Sequence, residues 1–164
     1  MRRLLAAAFL LALTTPALAR DSLGVFGQWG AFRDAEVPRC YAIASANAGA
    51  GARGYASVSH WPARQVRGQV HFRLSRAINA GSRVSLLVGD RRFQLTATAR
   101  NAWAADAAGD AAIVAAMRAA STMQLRGEDR RGRTFTDSYR LDGAATAIDA
   151  AGVATGMDCR QCAG

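Results

Sequence analysis

Apolar and polar residues alternate with a period of two through much of the chain, and this pattern predicts strands. Val66, Val70, Phe72 and Leu74 alternate with Arg67, Gln69, His71, Arg73 and Ser75, as in a half-buried strand. Val84, Leu86 and Val88, then Phe93, Leu95 and Ala97, form a second alternating pair of runs around Gly89-Asp90-Arg91-Arg92. With those four residues as the loop, Val88 faces Phe93, Leu86 faces Leu95 and Val84 faces Ala97, and all six share one face. Upstream, residues 26–33 and Arg39–Ser45 are two more apolar-rich candidates, divided by Pro38. Residues 46–54 are almost entirely alanine and glycine and predict a loop, and Tyr55–Trp61 a further strand stopped by Pro62.

After Trp103 the period changes. Asp106 or Asp110 is placed to cap a short helix whose Ile113, Val114 and Met117 share a face, with Arg118 in the last turn where the helix dipole favours a cation. Residues 121–126 and 133–141 return to alternation and predict a second hairpin, its turn Glu128-Asp129-Arg130-Arg131 a solvated tip. A last helix is expected over residues 142–151, with Asp142 as its cap and Ala144, Ala145, Ile148 and Ala151 at helical spacing. Seven or eight short strands with one or two small helices predict a mainly-β fold, a β-sandwich or an open barrel, over any parallel α/β arrangement.

The N-terminus has another character. Arg2 and Arg3, an apolar run over residues 4–13, Pro16 and Ala17-Leu18-Ala19 follow the order of a secretory signal peptide. Residues 1–19 are therefore expected to be cleaved, leaving 20–164 as a single domain. Arg20, where a lipoprotein has cysteine, predicts a mature protein that is not lipid-anchored, and the apolar run is too short to span a bilayer. The chain is expected in the periplasm or at the outer surface.

All 21 basic residues are arginine, against 12 acidic ones, in 164 residues, a net charge of +9. An anionic partner such as lipopolysaccharide or acidic lipid fits that excess, with Arg126, Arg130, Arg131 and Arg133 as the candidate surface. A lysine-free chain rich in arginine, alanine and glycine, with acids scattered between its arginines, is more simply what a GC-rich genome produces. Nucleic acid is not an expected partner.

Cys40, Cys159 and Cys162 are the three cysteines, and in an oxidising compartment one thiol is left over. A bridge from Cys40 to Cys159 would contribute on the order of 4 to 5 kcal/mol in the chain-entropy model; Cys40 to Cys162 and Cys159 to Cys162 are the alternatives. The sharper reading makes Cys159 and Cys162 a thiol-disulfide redox pair, although a redox C-x-x-C opens a helix and Gly164 ends this chain two residues later. His60 and His71 have neither the spacing of zinc ligands nor a triad context, and no nucleophile elbow, phosphate loop or dinucleotide fingerprint is present. No catalytic residue, metal or cofactor is expected. Trp29, Phe32, Tyr41, Tyr55, Trp61, Trp103 and Tyr139 are expected mostly in the core, because so many other core positions are among the 38 alanines.

Phe26-Gly27-Gln28-Trp29 with Phe32-Arg33-Asp34, Pro38-Arg39-Cys40-Tyr41-Ala42-Ile43-Ala44, and Ala102-Trp103-Ala104-Ala105-Asp106 leading to Asp110–Arg118 together form a spaced pattern. Thr136-Asp137-Ser138-Tyr139-Arg140-Leu141-Asp142-Gly143 continues it. In these motifs the chain resembles the invasion-associated locus B family of alphaproteobacterial exported proteins. The resemblance implies an immunoglobulin-like antiparallel β-sandwich, a non-enzymatic binding or structural role in the envelope linked in some pathogens to host-cell interaction, and an unknown envelope partner. It also maps Cys40 and Cys159 onto the family's cysteines, from which Cys162 departs.

Overall fold

The alternating runs form strands, and backbone hydrogen bonding joins them into one ladder. The computed structural model describes residues 20–34, 36–47 and 53–157; residues 1–19, Cys159 and Cys162 lie outside them. The strands are β1 (Asp21–Phe26), β2 (Trp29–Asp34), β3 (Arg39–Ser45), β4 (Tyr55–Trp61), β5 (Val66–Arg73), β6 (Val84–Val88), β7 (Arg91–Thr98), β8 (Asn101–Trp103), β9 (Thr122–Glu128) and β10 (Thr134–Arg140). The helices are α1 (Ala107–Ala119) and α2 (Ala144–Met157), and Pro62–Arg64 make a single 3-10 turn. Every pairing is antiparallel, in the spatial order β1-β2-β3-β4-β5-β8-β7-β6-β9-β10.

The mainly-β, antiparallel architecture with two helices is the one expected, and its two layers are one sheet folded over. Residues of β2 to β5 share a single core with Leu86 of β6, Met123 and Leu125 of β9 and Tyr139 of β10. The Phe72 and Tyr139 rings lie 6.4 Å apart across it. The two ends of the sheet are tied where they meet: the indole N–H of Trp29 donates to the Arg140 carbonyl at 2.9 Å, Gln28 N–H to the Asp142 carbonyl at 3.1 Å and Asn47 N–H to the Ser138 carbonyl at 2.8 Å.

The two helices cover the inner face. Ala31, Ala42, Ala44 and Ala56 leave that face shallow under α2, which presents buried Ala144, Ala147, Ile148, Ala151 and Ala154. Small side chains on both sides let the backbones approach closely. α1 lies beside β5 where the short β8 leaves that strand's edge open. Asp106 is its cap, accepting from Gly109 N–H at 2.7 Å, whereas Asp110 accepts the Val70 N–H at 2.9 Å. Arg118 of α1 pairs with Asp149 of α2 at 2.6 Å.

Several details differ from the expectation. Residues 26–33 are not one strand: Gly27, at φ 56°, turns the chain between β1 and β2. The first hairpin closes through Gly89-Asp90 alone, pairing Val88 with Arg91, Leu86 with Phe93 and Val84 with Leu95. Gly89 at φ 58° makes the two-residue turn possible, and the register moves by two residues, which preserves the faces. β8 is too short for its period to register. α2 runs on to Met157, and it begins at Ala144, with Gly143 at φ 81° setting its entry in place of an Asp142 cap. Edge strand β1 carries a bulge between Ser22 and Gly24, and its Val25 is 72% exposed.

Asp110→Ala is expected to destabilise the fold by about 1 to 3 kcal/mol, because the N–H of buried Val70 loses its acceptor. Asp110→Asn keeps an acceptor oxygen, and since burial pushes the Asp110 carboxyl above its ordinary pKa, it is expected to be neutral or stabilising. Urea denaturation of the two variants checks the pair.

Candidate functional site

Strand register sorts side chains onto two faces. Cys40, Ala42 and Ala44 of β3 face inward with His60, Val58 and Ala56 of β4. Their neighbours form cross-strand rows on the outer face. One row runs Phe32, Tyr41, Ser59, Gln69; the next runs Gly30, Ile43, Ser57, His71, Trp103; a third runs Ser45, Tyr55, Arg73, Asn101. Tyr41, Ser57 and Ser59 form the buried floor, and the larger rings around them are half-buried. A groove of about 530 Å3, lined in part by Val25, Phe32, Ile43, Ser45 and Arg53, continues this face toward β1.

The rings are arranged in two lines. Tyr55, His71 and Trp103 follow one another with centroids 5.8 and 5.5 Å apart. Tyr41 stands beside Phe32 at 5.8 Å, and the Arg39 guanidinium lies between Tyr41, at 4.4 Å, and Trp61, at 5.3 Å; Arg64 covers Trp61 at 4.9 Å. Guanidinium planes over aromatic rings gain cation–π attraction, and arginine suits this stacking better than lysine. The polar groups are ordered by the same lines. Trp61 donates its indole N–H to Gln69 Oε1 at 3.0 Å, and Arg73 donates to Asn101 Oδ1 at 3.1 Å. His71 Nε2 lies 3.2 Å from the same Oδ1 and carries the proton there, since an arginine-bound Oδ1 can only accept.

Five of the aromatics expected mostly in the core therefore belong to the outer face: Phe32, Tyr41, Tyr55, Trp61 and Trp103. Trp29 and Tyr139, at 0% and 1% exposure, are members of the main core, and Tyr41, although on the outer side of β3, is itself buried at 4%. The signal was present in the alternation of Tyr55, Ser57, Ser59 and Trp61 against Ala56, Val58 and His60. The assumption that the larger residue faces inward concealed it.

The expected arginine surface is only partly assembled. Arg130, Arg131 and Arg133 line a shallow depression with Arg76, around Asp129, while Arg126 stands apart on β9 near Gln124. The β9–β10 turn is not a freely solvated tip, because Asp129 is buried at 5% exposure. It accepts from the N–H groups of Arg131 and Arg133, from the Arg133 side chain and from Arg76. Burial pushes its carboxyl up, but those donors outweigh it and hold Asp129 far below the usual carboxylate range.

Cys40 is fully buried beside Ala151 and Ala154 of α2 and is disulfide-bonded, not a free thiol. The pairing itself falls outside the described residues. His60, directly across the ladder from Cys40, lies against Gly152 with both ring nitrogens unpartnered among the described residues. Burial, then the nearby Arg67 charge, lowers its pKa; burial also lowers that of His71, against the opposing effect of the hydrogen bond that His71 donates to Asn101. No group of three or more metal-ligating side chains occurs among the described residues. Compared with protein-family models, curated proteins and solved structures, the chain matches none.

Both histidine pKa values fall below 6.5 in the folded state, so the unfolded chain binds more protons as pH drops. Their contribution to stability is complete above about pH 6.5 and is lost below it, down to the depressed folded values. Urea midpoints are therefore expected to fall between about pH 7.5 and about pH 5, and to fall less in His60→Gln.

Proposed function

We propose that the protein is an exported, non-enzymatic binding protein of the bacterial envelope whose recognition surface is the outer face of β2 to β5 and β8. The observation that carries this reading is the concentration of Phe32, Tyr41, Tyr55, Trp61, His71 and Trp103 on a face opposite to the one that α2 covers. The outer positions of β9 and β10, by contrast, are Gln124, Arg126, Thr136 and Ser138, an ordinary solvated surface. Large rings on a half-exposed face favour a partner that shields them from water. The invasion-associated locus B resemblance points to the same class, and the N-terminal pattern to export.

In this reading Cys40 is a structural staple, bridged to Cys159, or to Cys162 in its place. The complete burial of Cys40 supports a staple over a thiol-disulfide pair of Cys159 and Cys162, which works only if it is exposed to substrate.

Expression of the full chain in a Gram-negative host, with intact-mass measurement and disulfide mapping of the periplasmic fraction, tests this. The expected product begins at Arg20 with Cys40 bridged to Cys159 or Cys162. A chain retained in the cytoplasm with residues 1–19 attached overturns export, and a Cys159–Cys162 bridge with Cys40 free restores the redox reading. Cys40→Ser is expected to cost about 2 to 5 kcal/mol of stability, checked by denaturation with and without reductant.

A further inference from the structure

The β9–β10 turn gathers four guanidinium groups around one carboxylate. Arg76, from the segment after β5, and Arg130, Arg131 and Arg133 line a depression of about 230 Å3 together with Ala77 and Asp129. Asp129 is fully used as an acceptor. Its Oδ2 takes N–H groups from Arg76 at 3.2 Å and from Arg133 at 3.1 and 2.9 Å, and its Oδ1 takes the backbone N–H groups of Arg131 and Arg133. A carboxylate has about four lone-pair sites, so none is left for the side chains of Arg130 and Arg131. Those two side chains meet no carboxylate among the described residues. Glu128, the other acid of the turn, stands beside Gly132 and is not part of the lining. Four cations against two anions leave the turn with an excess of two positive charges.

The turn is fixed before any ligand arrives. Arg130 donates its N–H to the Ala77 carbonyl at 3.1 Å, Asp129 to the Arg133 carbonyl at 2.8 Å and Gly132 to the Asp129 carbonyl at 2.9 Å. Arg76 and Arg133 keep 39% and 58% of their side-chain surface exposed although both are paired, so an incoming anion still reaches them. Their shared counter-ion holds them in place, which reduces the side-chain freedom lost on binding. Guanidinium has five N–H donors and no acceptor, and it suits phosphate and carboxylate oxygens alike. Charge and oxygen count separate the two. A carboxylate or a phosphodiester brings one negative charge and leaves half of the excess unmatched. A phosphomonoester brings close to two, on three acceptor oxygens that several guanidinium groups can share.

We infer that this depression binds a phosphomonoester group, held by Arg130 and Arg131 and completed by the remaining N–H groups of Arg76 and Arg133. The site is separate from the aromatic face of β2 to β5 and β8 and does not depend on it. Arg126, which stands apart near Gln124, does not belong to it.

The test titrates the isotope-labelled protein with methyl phosphate, dimethyl phosphate and acetate at one ionic strength, followed through the backbone amide signals of Arg130, Arg131 and Gly132. Methyl phosphate is expected to shift those signals and to bind about tenfold or more tighter than either of the others. Arg130→Gln and Arg131→Gln are each expected to weaken it about threefold to tenfold, and Arg126→Gln to leave it unchanged. Neither of the first two removes a bond to Asp129, since Arg131 reaches it only through its backbone N–H, so both are expected to keep the urea midpoint of the parent. Phosphatidylcholine vesicles carrying phosphatidic acid, or phosphatidylglycerol at matched charge, separate the sources of the phosphate. Preference for phosphatidic acid that is lost in Arg131→Gln assigns it to a lipid headgroup, and methyl phosphate binding without that preference assigns it to a soluble ligand; either supports the site. Equal binding of the three small anions, no binding of methyl phosphate, or binding that ignores both Arg130→Gln and Arg131→Gln overturns the inference.

Discussion

Alanine on both sides of a helix–sheet contact allows the two backbones to come closer than larger side chains permit, and α2 meets β2, β3 and β4 in this way. The consequence reaches the opposite side of the same strands. On the outward side of β3 and β4 stand the bulkier Tyr41, Ile43, Tyr55 and Trp61, with the small Ser57 and Ser59 between them. The core volume that the alanines do not supply comes from elsewhere: from Phe72 at the far end of β5, and from Leu86, Met123, Leu125 and Tyr139 on the strands folded over from the second half of the sheet. The shallow helix seat and the aromatic outer face are two results of one distribution of side-chain size.

Strand β8 connects the halves with three residues, pairing with β5 on one side and β7 on the other. So short a strand is held by its surroundings. Arg100 donates to the carbonyls of Leu74 and Ser75 at 3.1 and 2.9 Å, and the N–H groups of Leu74 and Ile78 return to the carbonyls of Arg100 and Ala99. Ala99 is held at φ 51°, a conformation that non-glycine residues rarely adopt and that persists where neighbouring bonds enforce it. Those bonds fix Asn101 and Trp103, and so set one end of the aromatic line.

Much of this was legible in the sequence, because alternation depends only on which side chains share a face. The runs in Arg39–Ser45, Tyr55–Trp61 and Val66–Arg73 formed strands, and Ile113 and Met117 marked the buried side of α1. What the pattern did not carry was direction and pairing. Alternation alone does not say whether Tyr41 or Ala42 faces inward, since that depends on a helix about a hundred residues further along. The first hairpin's register depended on one glycine dihedral, and β8 was specified by its neighbours more than by its own three residues. Asp129 was likewise hidden: four adjacent charged residues suggest a solvated turn, whereas folding the loop buries one carboxylate and directs the N–H groups of Arg131 and Arg133 toward it.

The bulge in β1 bears on how the molecule behaves among its own copies. An open sheet edge is a template on which another chain can add a strand, and Val25 on that edge gives such an addition an apolar contact. The break in register between Ser22 and Gly24, with Gly24 at φ 140°, bends the edge so that a straight incoming strand meets matched donors and acceptors over only a short stretch. The irregularity thus makes this edge a poorer template for strand addition while leaving its interior pairing intact.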